Sequence, residues 1–294
     1  MAIATSIPAT PAAVPLTRGR GRRLLSVQSR STTLNWIGFS LVFIVTLVAV
    51  AVPLLAPHDP LLPVGMPLQP PGKHGFLLGS DSIGRDILSR VLYGVRSSWF
   101  AALVVVAVGL LFGGLVGLIA GATGGWVDSV LMRITDGFLS LPAPVLAIAV
   151  VAALGPGFVH TLIAVSIVWW PFYARLVRGE VARLAARPHV EAAKLAGVSR
   201  FRLARRHLLP GAVPNALVAA SLDIGTLILT LAALSFLGLG QSAPAAELGA
   251  DSARNLSYFL QQWWIPVMPG LGVLVLALVG NIAGDSLRNL MKTS

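Results

Sequence analysis

The chain has 294 residues, of which 55% are hydrophobic and only 11% charged. A soluble domain carries ~25% charged residues to wet its surface, and a chain this apolar would expose patches that water rejects and lipid accepts. The net charge of +11 does not point to nucleic acid, because the basic residues lie in short stretches between long apolar blocks, where a membrane protein carries its orientation signal.

Residues 1–33 form a polar tail with Pro8, Pro11 and Pro15 and five arginines, a composition that cannot build a core and predicts disorder. The run from Leu34 to Leu55 is long enough to span a bilayer and predicts a first transmembrane helix, closing at residue 56. Residues 57–97 form a loop, stiffened by proline from Pro57 to Pro71. Its last part, Ser82–Arg96, places Ile83, Ile87, Leu88, Val91, Leu92 and Val95 at helical spacing and predicts an interfacial helix leading into the second span. Residues 98–290 then carry five more spans, about Trp99–Ala122, Leu131–Leu154, Phe158–Leu176, Ala216–Leu239 and Trp263–Gly284. Pro171 predicts a kink in the fourth. Trp169, Trp170, Trp263 and Trp264 fall near span ends, as interfacial anchors do. The fold class is therefore an all-α membrane protein of about six transmembrane helices.

Lysine and arginine set the orientation. With the N-terminal tail in the cytoplasm, only Lys73, Arg85, Arg90, Arg96 and Arg254 of the 22 basic residues lie outside. Both termini are thus expected in the cytoplasm, and residues 57–97 and 240–262 outside.

Gly109, Gly113, Gly117 and Gly121 fall four apart on one face of the second span, a groove into which another helix can pack closely. Gly280 and Gly284 repeat the pattern in the sixth. Packing within the subunit and contact with a partner subunit explain these stripes equally well. Ionisable residues inside the membrane are costly and mark candidate sites. Asp223, in the fifth span near Ser221 and Thr226, either lines a polar pathway or makes a structural hydrogen bond. Asp136 lies towards the cytoplasmic end of the third span and is the second pathway candidate.

Several chemistries lack their residues. There is no cysteine, which excludes disulfides and thiolate metal sites, and no two histidines share metal-ligand spacing on a helix. No G-x-x-x-x-G-K-[ST] loop is present to cradle nucleotide phosphates, and no G-x-S-x-G nucleophile elbow. The chain is expected to be non-catalytic, with no cofactor or metal of its own.

The most informative stretch is the basic cytoplasmic loop 180–214. Residues 188–196 suit a short helix with proline in its first turn, Gly197 a stop, and Ser199 the cap of a second helix from Arg200 to Leu208, ended near Pro210. The product is a helix–turn–helix held below the membrane and suited to docking into a groove on a soluble partner.

The sequence Glu191-Ala192-Ala193, three residues, then Gly197, followed by a segment ending His207-Leu208-Leu209-Pro210, resembles the EAA loop of ABC importer permeases. Residues 78–90 (LGSDSIGRDILSR), 234–240 (LSFLGLG) and 284–288 (GDSLR) resemble motifs of the dipeptide/oligopeptide/nickel branch, in order, so the resemblance covers residues 34–290. The extra first helix and long outer loop are similar to the C-type subunit of that pair. Two departures are Leu231, where the family has an acidic residue, and Glu247-Leu248-Gly249, where it has P-x-W-G.

The resemblance implies a type I ABC importer permease fold in a bacterial plasma membrane. It implies a heterodimer with a homologous B-type permease, two ABC ATPase subunits that bind ATP and magnesium, and an external substrate-binding protein. The coupling to the ATPases would fall on Glu191, Ala192, Ala193, Gly197, Ser199, His207, Leu209 and Pro210. Short peptides are the expected substrate, with nickel or another metal chelate the alternative in the same class. A secondary transporter coupled through Asp223 is the alternative from another class.

Overall fold

The computed structural model describes residues 20–293, with side chains from Trp36 to Met291. Residues 20–291 contain five helices long and apolar enough to cross a membrane, and a sixth segment that does so only as a bent pair.

The first helix, α1 (Arg20–Leu55), starts well before Leu34. The tail expected to be disordered over 1–33 is therefore helical from Arg20, and its first 19 residues lie outside the described ones. An irregular segment, 56–86, follows. Its turns are built by the motif residues Gly79, Asp81 and Gly84. Asp81 accepts backbone N–H bonds from Ile83 (3.0 Å) and Arg85 (2.9 Å) and pairs with the Arg85 guanidinium at 2.6 Å. Gly84 sits at φ +87°, and a Cβ there would strike the carbonyl oxygen of Gly65.

No separate interfacial helix forms over Ser82–Arg96. Asp86 instead caps α2 (Ile87–Val108), accepting from the Ser89 N–H at 3.0 Å, and α2 runs through a widened π turn (Gly109–Gly113) into α3 (Gly114–Thr123). This 37-residue unit, ~55 Å long at 1.5 Å per residue, overshoots a ~30 Å hydrocarbon core. Its first turn is fastened to the loops after α1 and before α10, Arg90 donating to the carbonyls of Pro60, Pro244 and Ala245.

The expected third span, Leu131–Leu154, is broken. α4 (Gly125–Leu139) and α5 (Ala143–Leu154) meet at 86° across Ser140-Leu141-Pro142. Pro142 supplies no N–H and disfavours helical geometry at Leu141, so the helix ends there, and Pro144 fits the first turn of the next. α6 (Phe158–Ala185) carries Pro171 inside it and continues nine residues past Leu176.

Two short helices, α7 (Pro188–Leu195) and α8 (Arg200–Leu203), precede a π segment (Ala204–Leu208) and α9 (Leu209–Phe236). The chain does not stop at Pro210. That proline cannot bond back along the helix and would crowd the carbonyl four residues earlier. The helix absorbs it by widening, with the Leu209 N–H reaching back five residues to the Ala204 carbonyl. After α10 (Leu248–Arg254), α11 (Trp264–Thr293) completes the bundle.

The core joins α2, α6, α9 and α11 around Trp99, Tyr173, Leu227, Ile228 and Leu276. The glycine stripe meets α6 of the same chain. A Cβ at Gly113 would strike the Trp170 carbonyl, at Gly117 the Ala174 carbonyl, and at Gly121 the Val181 side chain at 2.9 Å. Gly109 lies over the Tyr173 ring. Gly280 and Gly284 face Gly225 and Leu222 of α9 in the same manner. Large apolar side chains such as Leu111, Leu115 and Leu274 point outwards, as lipid-facing residues do.

Candidate functional site

The α7–α8 unit is built almost entirely from local interactions. Pro188 occupies the first turn of α7, where its missing N–H costs nothing. At the other end Gly197, at φ +78°, closes a Schellman motif. Its N–H bonds the Lys194 carbonyl (3.0 Å), and the Val198 N–H bonds the Ala193 carbonyl (3.1 Å). Ser199 then caps α8, its Oγ accepting from the Arg202 N–H at 3.4 Å.

The apolar side anchors the unit. Val190 is 1% exposed, and with Leu203 and Leu208 it packs on Val181, Leu184 and Ala212 of α6 and α9. Lys194 Nζ donates to the Ala185 carbonyl at the end of α6 (3.3 Å). The opposite side is bare. Glu191, Ala192 and Ser199 are exposed, Leu195 is 90% exposed and Phe201 76%. The Glu191 carboxylate has no hydrogen-bond or ion partner among the described residues. Four arginines, Arg200, Arg202, Arg205 and Arg206, surround Phe201. His207 is part-buried, its ring 6.4 Å from that of the exposed His189, while Leu209 and Pro210 are exposed. The arrangement is a rigid, capped knob with two apolar side chains and a free carboxylate facing away from the bundle.

The two pathway candidates have separate partners. Asp136 pairs with Arg175, both half-exposed. Asp223 is part-buried and accepts from Trp169 Nε1 and from the Tyr173 hydroxyl (3.0 Å), which links α9 to α6. Trp169 is therefore a hydrogen-bond donor in the bundle, and Trp170 is buried against Phe112 and Phe138. Ser221 bonds its own helix at Val218 and does not reach Asp223.

The end of the bundle opposite α7 is closed by a cluster that sequence reasoning missed. Arg90 forks onto Asp251 at 2.6 and 3.0 Å. Arg254 adds a contact to Asp251 (3.2 Å), and Glu247 accepts from the Ser235 hydroxyl and the Gln241 N–H (2.7 Å). Burial pushes the carboxyls of Glu247 and Asp251 above their ordinary range, against the pull of these donors. The available signal was Arg90 inside an apolar helical pattern and two acids in a loop otherwise short of charge. Of the departures from the family motif, Leu231 is buried in the core and Leu248 packs on Gly94 and Gly272, while Glu247 joins the polar cluster.

The family model of binding-protein-dependent transport system inner membrane components matches residues 113–293, from the glycine stripe through α7–α8 to α11. The chain belongs to that family. The permease is 42% identical to the probable D,D-dipeptide transport system permease protein of Escherichia coli (strain K12), over 85% of this chain and 84% of that one. It is 39% identical to the di/tripeptide transport system permease protein of Pseudomonas aeruginosa (strain UCBPP-PA14), over 86% and 85%. Its fold is that of type I ABC importer permeases. A chain of the inward-facing MetNI methionine ABC transporter superposes with a TM-score of 0.56 at 21% identity, covering 71% of this chain and 98% of that one.

Proposed function

We propose that this permease forms, with a homologous permease subunit, the route by which short peptides handed over by an external binding protein cross the membrane. Two ATPase subunits drive it from the cytoplasmic side. The observation that carries this reading is the α7–α8 knob, anchored by Val190, Leu203 and Leu208 and bare on its outer face. Leu195 and Phe201 are apolar side chains that water disfavours, and an ATPase groove would cover them. Glu191 supplies a polar contact within that groove, and the Gly197 turn fixes the angle at which α7 leaves α8. Closure of the ATPases then moves α6 and α9, to which the knob is bonded. Coupling requires that the knob bind one ATPase conformation better than the other.

The peptide assignment draws support from relatives named for dipeptide and tripeptide transport that match over most of both chains. The excess of basic residues on the α7 side supports a cytoplasmic position for that end and for both termini. Asp223, held by two donors from α6, reads as a link between helices that shift together.

The test is purification of the complex in mild detergent, followed by ATP-driven uptake of labelled di- and tripeptides in proteoliposomes, with chelated nickel as competitor. Recovery with two ATPases and a second permease, and peptide uptake that Glu191→Ala or Gly197→Val uncouples from ATP hydrolysis, is the expected result. Uptake that persists without ATP and collapses with the proton gradient would replace this reading by a secondary transporter. Competition by nickel alone would replace the substrate.

A further inference from the structure

At the end opposite α7, a cleft of about 580 Å³ opens between α2, the start of α6 and the loop 241–246. Its floor is apolar, made by Phe100, Val104, Phe158 and Leu162, and its rim carries Tyr93, Arg96, Gln241 and Ser242. Its volume falls in the range of small-molecule sites, ~300–1,000 Å³, and its plan of a few polar groups over an apolar floor is theirs.

Arg96 is the only charged residue on the lining, and it is part-buried. Neither its guanidinium nor the Tyr93 hydroxyl has a partner among the described residues. The nearby acids are committed elsewhere, Asp251 to Arg90 and Arg254, and Glu247 to Ser235 and Gln241. The other three arginines of this end, Arg85, Arg90 and Arg254, each have a carboxylate. Arg96 therefore presents an unneutralised fork to a partly dry cleft, a geometry that matches a carboxylate.

We propose that Arg96, with Tyr93, binds the C-terminal carboxylate of the peptide as it enters the permease, while the apolar floor takes a side chain. This rests on the peptide reading above and names the group of the substrate that this subunit reads. A peptide has an anionic end, backbone groups for Gln241 and Ser242, and apolar side chains for the floor, which together match the three kinds of lining.

The absence of cysteine makes a direct test available. Ser242→Cys gives this subunit a single thiol, on the rim of the cleft. Its labelling rate by a small thiol reagent is read on this subunit, separated from the others by gel, after reaction of the assembled complex in nanodiscs without binding protein or ATP. A dipeptide with a free carboxyl end is expected to slow labelling several-fold, and its C-terminal amide to leave the rate unchanged. Arg96→Gln should weaken protection about tenfold or more, and Arg96→Lys should restore part of it. Equal protection by the amide, or protection that survives Arg96→Gln, overturns the proposal. So does a thiol that labels in the isolated chain and is closed in the complex, which would make the cleft a subunit interface. Protection by phosphatidylglycerol in the nanodisc and none by peptide would make it a lipid headgroup site. Because the assay needs no transport, peptide uptake with failed protection sinks this inference alone, and absent uptake sinks the peptide reading.

Discussion

Arg90 and Asp251, 161 residues apart in sequence, form a buried ion pair in which every N–H donor of the guanidinium is used. Two donors go to the carboxylate and the others to the carbonyls of Pro60, Pro244 and Ala245. The side chains are 4% and 6% exposed. One residue of α2 thus fastens the loop after α1 and the loop before α10 to the same point.

Removing one member of such a pair strands the other charge, at a cost of about 3–5 kcal/mol. Arg90→Ala and Asp251→Ala should each lower the melting temperature of the purified complex and open the loop 240–255 to protease. The double variant should lose clearly less than the sum of the two. Strict additivity would show that the pair is not the fastening.

The glycines of α3 predict a contrast between a position on the stripe and one three residues away, off it. Gly117→Ala forces a methyl group against the Ala174 carbonyl and should cost about 1–3 kcal/mol by prising α3 from α6. Gly114→Ala has only Val177 Cγ2 at 3.9 Å and should be neutral or slightly stabilising. Melting temperatures of the two variants, compared with wild type, check the order.

Asp223 offers a test of which side of a hydrogen bond matters. The double variant Trp169→Phe with Tyr173→Phe leaves Asp223 without either donor inside the bundle, and should destabilise by about 2–4 kcal/mol. Both donors reach the same carboxylate oxygen, so Asp223→Asn can keep that acceptor for both and should cost about 1 kcal/mol. Thermal stability in detergent measures both, and the reverse ranking would refute the link between α6 and α9.

Glu247 gives a pH signature. Burial raises its folded-state pKa above the ordinary value of 4.5, so the folded protein binds this proton more tightly than the unfolded chain does. Its contribution is fully present below pH 4.5 and is lost as pH rises through the raised value. Glu247→Gln should remove that slope, so the gap in melting temperature between wild type and variant should change as the pH rises above 4.5. A constant gap would mean that the carboxyl titrates normally.

The parts of the candidate site legible in the sequence were those made by neighbours along the chain. Pro188, Gly197 and Ser199 determine where α7 starts and stops and where α8 starts, because caps and turns close over three to five residues. The motif at 78–90 was legible as a pattern but not as a structure. Asp81 and Asp86 turned out to shape a turn and cap α2, which replaced the expected interfacial helix. The break at Pro142 was also written locally, in two prolines two residues apart. The apolar count across Leu131–Leu154 masked it, since hydropathy averages over composition and is blind to backbone geometry.

The sequence by itself determined that this chain lives in a bilayer, roughly where it crosses, and that a capped helix pair hangs from one end. Those properties depend on transfer of apolar side chains to lipid and on bonds between near neighbours. Tertiary structure alone decided that the glycine stripe receives α6, that Asp223 is held by Trp169 and Tyr173, and that Arg90 finds Asp251 while Arg96 finds nothing. Each of these depends on which helices lie side by side, and that order is set by how the whole bundle packs.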